Sequence, residues 1–498
     1  MMRALILLHR YVGIGIGWLI VVWCLSGVVM MYVGYPDVST AERARLLPPL
    51  DLAACCRLDP DFGGIGVSGA HVEMLGAAPV MRVTDDFGRT WALGLADGTF
   101  IHAIDDDAIR SAAAALAASV PGAVPRYVGS VERDQWIVTA AFDAHRPLHL
   151  FALDDAAGTR WYFSSTTGEL VQSMTRAERF WNWLGSVPHW LYPTVLRQNG
   201  PLWVNVVIGT SLVGLFLTVI GVYIGIARLK HRPGRWSPYR GVAWWHHWLG
   251  LAFGLLTLTW LFSGFLSVSP WGLLEPSGAA AERQRLRGVE LGIDDLERLA
   301  DSLSRHAPPP GTVRIELAPF AGEAAVLAYD AAARPTRLAL PDLEPAPLGL
   351  AELERAATRL VPGQKIANAE LLTTEDAYYF SHHAARPLPV YRVILDDRGG
   401  TRYYIDPTSG RLLLKVDAAQ RGYRWLFEGL HRFDFTAALR SRPLWDVLMI
   451  LLLAGVTGVS ATGTFMGIRY LRRQARRSSQ WTRRQQIATR SSESSTTG

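Results

Sequence analysis

Four stretches of the chain run for twenty residues or more with almost no charge: Tyr11–Val33, Leu202–Ile226, Leu249–Val268 and Leu444–Ile468. Runs of that length match the ~30 Å hydrocarbon core of a bilayer. A soluble core helix would carry a polar stripe, and these do not. The pattern predicts four membrane-spanning helices. The first run is long for a cleaved signal, and its exit, "MMYVGYPDVS", is a poor small-residue cleavage site. It is read as a retained helix. The expected divisions are helix 1 over 1–34, an outer segment over 35–200, helix 2 over 201–228 and a short loop over 229–243. Helix 3 over 244–269, a second outer segment over 270–442, helix 4 over 443–470 and a basic, disordered tail over 471–498 complete the chain.

The polar positions between these runs alternate in places with period two. "PVMRVTDDFGRTWALGLADGTFI", "LHLFALDD", "TRWYFSSTTGELV", "PVYRVILDD" and "TRYYIDPTSGRLLLKVD" read as strands and hairpins. "AELERAATRLV" has helical spacing and stops at Pro362-Gly363. Each outer segment is expected to hold one or two small units of helix plus antiparallel sheet.

Charge orients these elements. Arg3 and Arg10 precede the first run, "ARLKHRPGRWSPYRG" joins the second and third, and "RYLRRQARRSSQWTRRQQ" follows the fourth. Short basic loops remain cytoplasmic. Both termini and the middle loop are therefore expected inside, and the two long segments outside, in the periplasm of a Gram-negative cell. The net charge of +6 comes largely from these flanks. Membrane topology accounts for the basic tail without a nucleic-acid partner. The three cysteines include no CxxC or CxxCH, which argues against covalently attached haem, and adjacent Cys55 and Cys56 do not make an ordinary scaffold disulfide.

The chain repeats itself. "GTRWYFSSTTGEL" from Gly158 matches "GTRYYIDPTSGRL" from Gly400 at an offset of 242. The same offset carries Trp183 onto Trp425, His189 onto His431 and the "PLW" at Pro201 onto that at Pro443. Near the chain start, "LLHRYVGIGIGWLIVVWCLSG" parallels "WWHHWLGLAFGLLTLTWLFSG". In each, a His is followed four residues later by Gly, and a Ser-Gly pair comes thirteen residues after that. Each half is thus helix, outer segment, helix. An even number of crossings per half inserts both halves the same way up, around a pseudo-twofold axis along the membrane normal.

Of thirteen histidines, nine fall outside and four inside (His9, His231, His246 and His247). The repeat selects four. His9 and His246 form a pair on the inner rim, and His189 and His431 a pair on the outer rim, just before helices 2 and 4. Equivalent positions around one axis face each other, so each pair is disposed to grip one metal from two sides. Imidazole suits iron, and two axial His leave no open position, which makes an electron carrier. An iron porphyrin would also explain Gly13, Gly15, Gly17, Gly250 and Gly254, which let a flat ring approach a helix. Arg10 and Arg432 directly follow His9 and His431 and could pair with propionates. Register favours His246 over its rival His247. His189 and His431 fall on candidate interfacial helices, "RFWNWLGSVPHWLYP" and "YRWLFEGLHRFDF". His145, His149, His382 and His383 read as solvated strand or loop residues. Trp18, Trp23, Trp203 and Trp260 are candidates to bridge two rim sites that would otherwise stand most of a bilayer apart.

"LHRYVG" and "HHWLG", each before an apolar span with Ser-Gly, resemble the opening of PepSY-associated transmembrane proteins. "VPGQKI…LPVYRVILDD…RYYIDPTSGRLL" is similar to a PepSY domain, and "VPGAV…LHLFALDD…RWYFSSTTGEL" to a more diverged one. The resemblance extends to about residue 473. It implies a membrane α-helical fold of four transmembrane helices, in two parallel two-helix repeats, with two periplasmic α+β PepSY-like domains. That family includes inner-membrane ferric-siderophore reductases with two b-type haems. The resemblance therefore implies haem b ligation at His9 and His246, and at His189 and His431. Pro188, in "GSVPHWLYP", departs from the second copy and bears on how His189 is presented. The expected activity is transmembrane electron transfer. A cytoplasmic reductant or quinol would be the donor, and a ferric siderophore or other periplasmic acceptor would be reduced. Two alternatives stand beside it: a haem-free, membrane-anchored PepSY binding or regulatory protein, and an iron or siderophore transporter. The spans lack the intramembrane carboxylates and broken helices common in coupled transporters.

Overall fold

A computed structural model describes residues 1–53, 55–58, 66–229, 236–383 and 385–494, with side chains as far as Ser479. His231 and the rest of residues 230–235 of the expected basic loop lie outside the described residues.

The four apolar runs form long helices, Met2–Met30, Gly200–Ala227, Val242–Leu266 and Leu444–Ser494, each long and apolar enough to cross a membrane. Their boundaries have local causes. The Asn199 side chain caps the second helix by accepting from the Leu202 N–H at 3.0 Å, and Pro201 sits in its first turn, where no amide is needed. The first and third helices each pack against the second and fourth, so the first and third stand diagonally across a four-helix bundle. Ile16, Leu19, Ile20, Leu217, Leu261, Met449, Leu453 and Val456 fill its middle. Leu25, Phe216, Val219, Leu255 and Leu451 face outward and exposed, the reverse of a soluble bundle and what a lipid-facing surface requires. The fourth helix does not end near residue 470 in a disordered tail. Its backbone stays helical to Ser494, in line with the high helix propensity of its Arg- and Gln-rich sequence.

One end of the bundle carries the chain termini; the other carries three antiparallel sheets. Two are the expected four-stranded units, one in each half. The first comprises β5 (Pro125–Val131), β6 (Leu148–Leu153), β7 (Arg160–Ser164) and β8 (Leu170–Met174). The second comprises β12 (Ile366–Leu372), β13 (Val390–Leu395), β14 (Arg402–Ile405) and β15 (Leu412–Val416). Each buries a helix: Ile109, Ala113 and Leu116 of Asp106–Ala117 pack on the first sheet, and Leu353, Ala356 and Ala357 of Leu350–Ala357 on the second. Both copies repeat one polar device. Tyr162 donates to Asp134 and Tyr404 to Asp376, and each Asp also caps two backbone amides of its loop.

The third sheet joins the two outer segments. It has seven strands. β1 (Val67–Leu75), β2 (Ala78–Asp85), β3 (Thr90–Gly94) and β4 (Phe100–Ile101) come from the first half. β9 (Thr312–Leu317), β10 (Ala325–Asp330) and β11 (Pro335–Ala339) come from the second, and the order is β11-β10-β9-β1-β2-β3-β4. The halves meet where β1 pairs antiparallel with β9, His71 opposite Glu316 and Val72 opposite Ile315. Antiparallel pairing of equivalent strands is what a twofold repeat produces at its axis. Cys55 and Cys56 lie partly buried beside this sheet's core.

A buried ionic network ties this seam to the first four-stranded unit. Arg314 of β9 and Arg82 of β2 both pair with Glu73 of β1, while Glu169 meets Arg43 at 2.8 Å and His71 at 3.1 Å. Burial would raise the Glu169 carboxyl, but the His71 hydrogen bond and the charges of His71, Arg82 and Arg43 hold it well below the usual carboxylate range. His71, Glu73 and Glu169 lie close enough to share a cation. Three guanidiniums already neutralise them, so the cluster is read as an ion-pair weld between the halves.

Candidate functional site: two facing histidine pairs

The bundle brings the repeated histidines together in twos. His9, on the first long helix, and His246, on the third, meet across the diagonal with ring centres 6.2 Å apart. His189 ends the short helix Ser186–His189, and His431 lies in the turn Leu430–Arg432. Their ring centres are 6.0 Å apart. Each half supplies one histidine to each pair. Pro188 lies within the short helix and does not keep His189 from its partner.

The rings are held by one repeated arrangement. His9 Nδ1 lies 3.1 Å from the carbonyl of Leu217, His246 Nδ1 3.0 Å from that of Val459, and His189 Nδ1 3.0 Å from that of Trp23. In each case the residue four further along that helix is a glycine: Gly221, Gly463 and Gly27. A Cβ on Gly221 would stand 2.6 Å from His9 Cε1. One on Gly463 would stand 3.0 Å from His246 Cε1, and one on Gly27 3.4 Å from His189 Cε1. Glycine opens the helix surface so that an imidazole can lie flat on it and reach a carbonyl one turn back. The fourth ring departs from this. His431 Nδ1 bonds to Ser263 Oγ at 3.0 Å, and the matching Ser26 Oγ lies 3.2 Å from His189 Nδ1. With Nδ1 engaged on all four rings, Nε2 carries no protein hydrogen bond among the described residues.

His247 is a different kind of residue. Its Nδ1 meets Ser237 Oγ and its Nε2 the Gly225 carbonyl, both at 2.8 Å. Both nitrogens are spent on fixing the start of the third helix, whereas Nε2 of His246 carries no protein hydrogen bond among the described residues.

A cavity of about 650 Å³ opens around His9 and His246. Gly13, Gly17, Gly221, Gly225, Gly250, Gly254, Gly463 and Gly467 line it, and at Gly250 a Cβ would have no other heavy atom within 4 Å. Gly15 is not among them; it faces outward beneath the exposed Trp18, whose Nε1 bonds to its carbonyl. Arg10 lines the cavity mouth, its guanidinium 4.8 Å above the Tyr470 ring. Arg432 stands beside the other pair, 3.8 Å from Glu428.

Trp18 and Trp203 take other positions than those of a bridge. Trp18 is on the outer face. Trp203 Nε1 bonds to the Trp190 carbonyl, and its equivalent Trp445 bonds to the Arg432 carbonyl, so both peg the histidine-bearing turns to the helices that follow. Trp260 Nε1 bonds to the His431 carbonyl itself. Trp23 packs in the bundle core between the pairs.

The remaining histidines correct the reading of solvated residues. His149 is buried with Nδ1 3.1 Å from the Tyr127 hydroxyl, and His145 Nδ1 meets Ser164 Oγ at 3.0 Å. Burial lowers both imidazoles from their ordinary range. His382 stacks on Trp445, 4.3 Å between centres, and meets Asp434 at 3.1 Å, which in turn pairs with buried Arg424. The first half has Ala140, Tyr192 and Asn182 at the equivalent places, so this network has no twin and no repeat signal marked it. Of these four, only His383 is exposed.

The seats Gly221 and Gly463 escaped the sequence reading, which marked Gly27 only as part of the repeated Ser-Gly pair, although a Gly four residues after the contacted carbonyl occurs in three helices. Compared with protein-family models and with curated proteins, the chain gives no match.

Proposed function

We propose that this protein is a transmembrane electron carrier that binds two b-type haems, one between His9 and His246 and one between His189 and His431. The supporting observation is the pairing itself: two rings 6.2 Å apart and two 6.0 Å apart, each anchored through Nδ1. Two imidazoles in line on one metal, with metal–nitrogen bonds of about 2 Å, keep their ring centres about 6 Å apart. The planes of the rings can take any mutual angle, because each plane contains its own bond axis. Anchoring Nδ1 on a carbonyl fixes the tautomer that leaves Nε2 as the ligand atom and raises its basicity. The donor set fits haem, and the glycine-lined cavity around the first pair suits a flat macrocycle.

Haem held by these residues would supply a one-electron Fe(III)/Fe(II) couple, which suits a carrier. The chain's own part is to hold the sites at a fixed spacing and keep water away. His9 and Trp23 are fourteen residues apart on one helix, about 21 Å at 1.5 Å per residue. That is well short of a full membrane, and the apolar core of the bundle fills the interval.

The same reading places the protein in a bacterial inner membrane, with the termini cytoplasmic and the sheets periplasmic as PepSY-like domains. Basic flanks at the termini support this orientation. Electrons would enter from a cytoplasmic reductant or quinol. The acceptor, a ferric siderophore or similar ferric complex, is proposed from the family resemblance alone.

The test is the absorption spectrum and haem content of the purified protein. Two low-spin b haems per chain are expected, falling to one in His9→Ala or His246→Ala and in His189→Ala or His431→Ala. A colourless wild-type protein would instead mark the bundle as a haem-free anchor for its outer domains.

A further inference from the structure

The short helix Arg176–Leu184, five residues before His189, is built inside out for a protein in water. Its polar Asn182 is buried at 1% exposure, donating Nδ2 to the carbonyls of Gly34 and Glu178. Its large apolar residues face away from the protein: Phe180 is 58% exposed, Trp183 53% and Leu184 48%. Phe180, Trp183 and Leu184 are spaced i, i+3, i+4 and make one stripe. The capping box of Thr175 and Glu178 and a buried polar anchor hold the helix in this orientation, so the outward stripe is fixed by the fold.

The second half repeats part of the inversion. Arg424, equivalent to Asn182, is buried against Asp434 and the Ala377 carbonyl, while Leu426, equivalent to Leu184, is exposed. Trp271 and Leu273 stand exposed in the same half.

We infer that the Phe180–Leu184 stripe is seated in the interfacial layer of a lipid bilayer. Three observations select lipid as the occupant. The stripe is continuous with the outward apolar face of the bundle, because Gly185 lies against Val29 in the last turn of the first long helix. The Asn182 anchor at Gly34 sets the helix level with the end of that span. Arg176 and Arg179 stand in the turn before Phe180 and Trp183 on the same short helix, and basic and aromatic side chains together suit the boundary between acyl chains and headgroups. Lipid would then press the His189-bearing turn onto the first helix from outside.

The inference rests on the membrane reading, and one experiment separates the two. Nitroxide labels are placed at Phe180→Cys and Leu184→Cys, at Leu25→Cys on the outward face of the first long helix, and at Phe87→Cys on an exposed sheet turn. The unmodified chain, which holds Cys24, Cys55 and Cys56, is carried through the same labelling as the blank. The full chain is reconstituted in phosphatidylethanolamine–phosphatidylglycerol nanodiscs, and collisions with oxygen and with a water-soluble nickel chelate are compared. Positions 180 and 184 are expected to favour oxygen as Leu25 does, at a depth of roughly 5–10 Å, with Phe87 favouring nickel. If 180 and 184 behave like 87, or are shielded from both quenchers as in a contact with a second copy, the inference is overturned. If Leu25 also favours nickel, the membrane reading fails first.

Discussion

Adding one methyl group at Gly221 tests whether the histidine seats matter. A Cβ there would lie 2.6 Å from His9 Cε1 and 3.2 Å from Nδ1. Ordinary contact begins at 3.4 Å, so the ring must retreat by about 0.8 Å. Leu217 O, on the same helix, holds Nδ1 at 3.1 Å, so retreat also stretches that bond. Overpacking of this size costs about 1–3 kcal/mol, and loss of the outer-shell hydrogen bond weakens metal binding about 10- to 100-fold. The helix itself should gain from Gly→Ala, by about 1 kcal/mol. Gly221→Ala is therefore expected to remain folded and to lose haem from the His9–His246 site. The series should be graded. Gly463→Ala requires about 0.4 Å of movement at His246, and Gly27→Ala essentially none at His189. Haem per chain, measured by pyridine haemochromogen during titration of the apoprotein, reads the affinities. Thermal unfolding in the same detergent reads stability. Equal affinities across the series, or a loss of haem only in step with unfolding, would refute the idea that glycine seats the rings.

His247→Gln should keep both haem signals while costing about 1–3 kcal/mol, because Ser237 and the Gly225 carbonyl lose their buried partner; His246→Gln should do the opposite, and parallel spectra and melting curves distinguish them. Arg314→Ala leaves Glu73 buried with Arg82 as its remaining close guanidinium, so the sheet seam is expected to weaken by about 3 kcal/mol, seen as earlier denaturant-induced loss of sheet signal with bundle haem retained. Acid should loosen the same seam. Glu169 has a folded-state pKa well below its ordinary 4.5, so its contribution is complete above that value and is lost as pH falls from 4.5 toward the folded pKa. Circular dichroism through that range checks the sign, and a seam unchanged well below pH 4 would contradict it.

The four apolar runs, the offset of 242 and the pairing of His9 with His246 and His189 with His431 were all legible in the sequence. Long apolar helices announce themselves locally, because every backbone amide is satisfied within the segment. A duplication of helix, outer segment and helix constrains which positions face each other. Several features were not legible, because they depend on contacts between residues up to about 240 apart, for which the chain has no local period. Tertiary packing fixed both nitrogens of His247 and left Nε2 of His246 free. It put glycines beneath the rings, joined the halves through one seven-stranded sheet, and buried His382 against Asp434. A periodic pattern states which face of an element is apolar. Only the packed structure decides what that face meets, since the energy lies in the fit between the two surfaces.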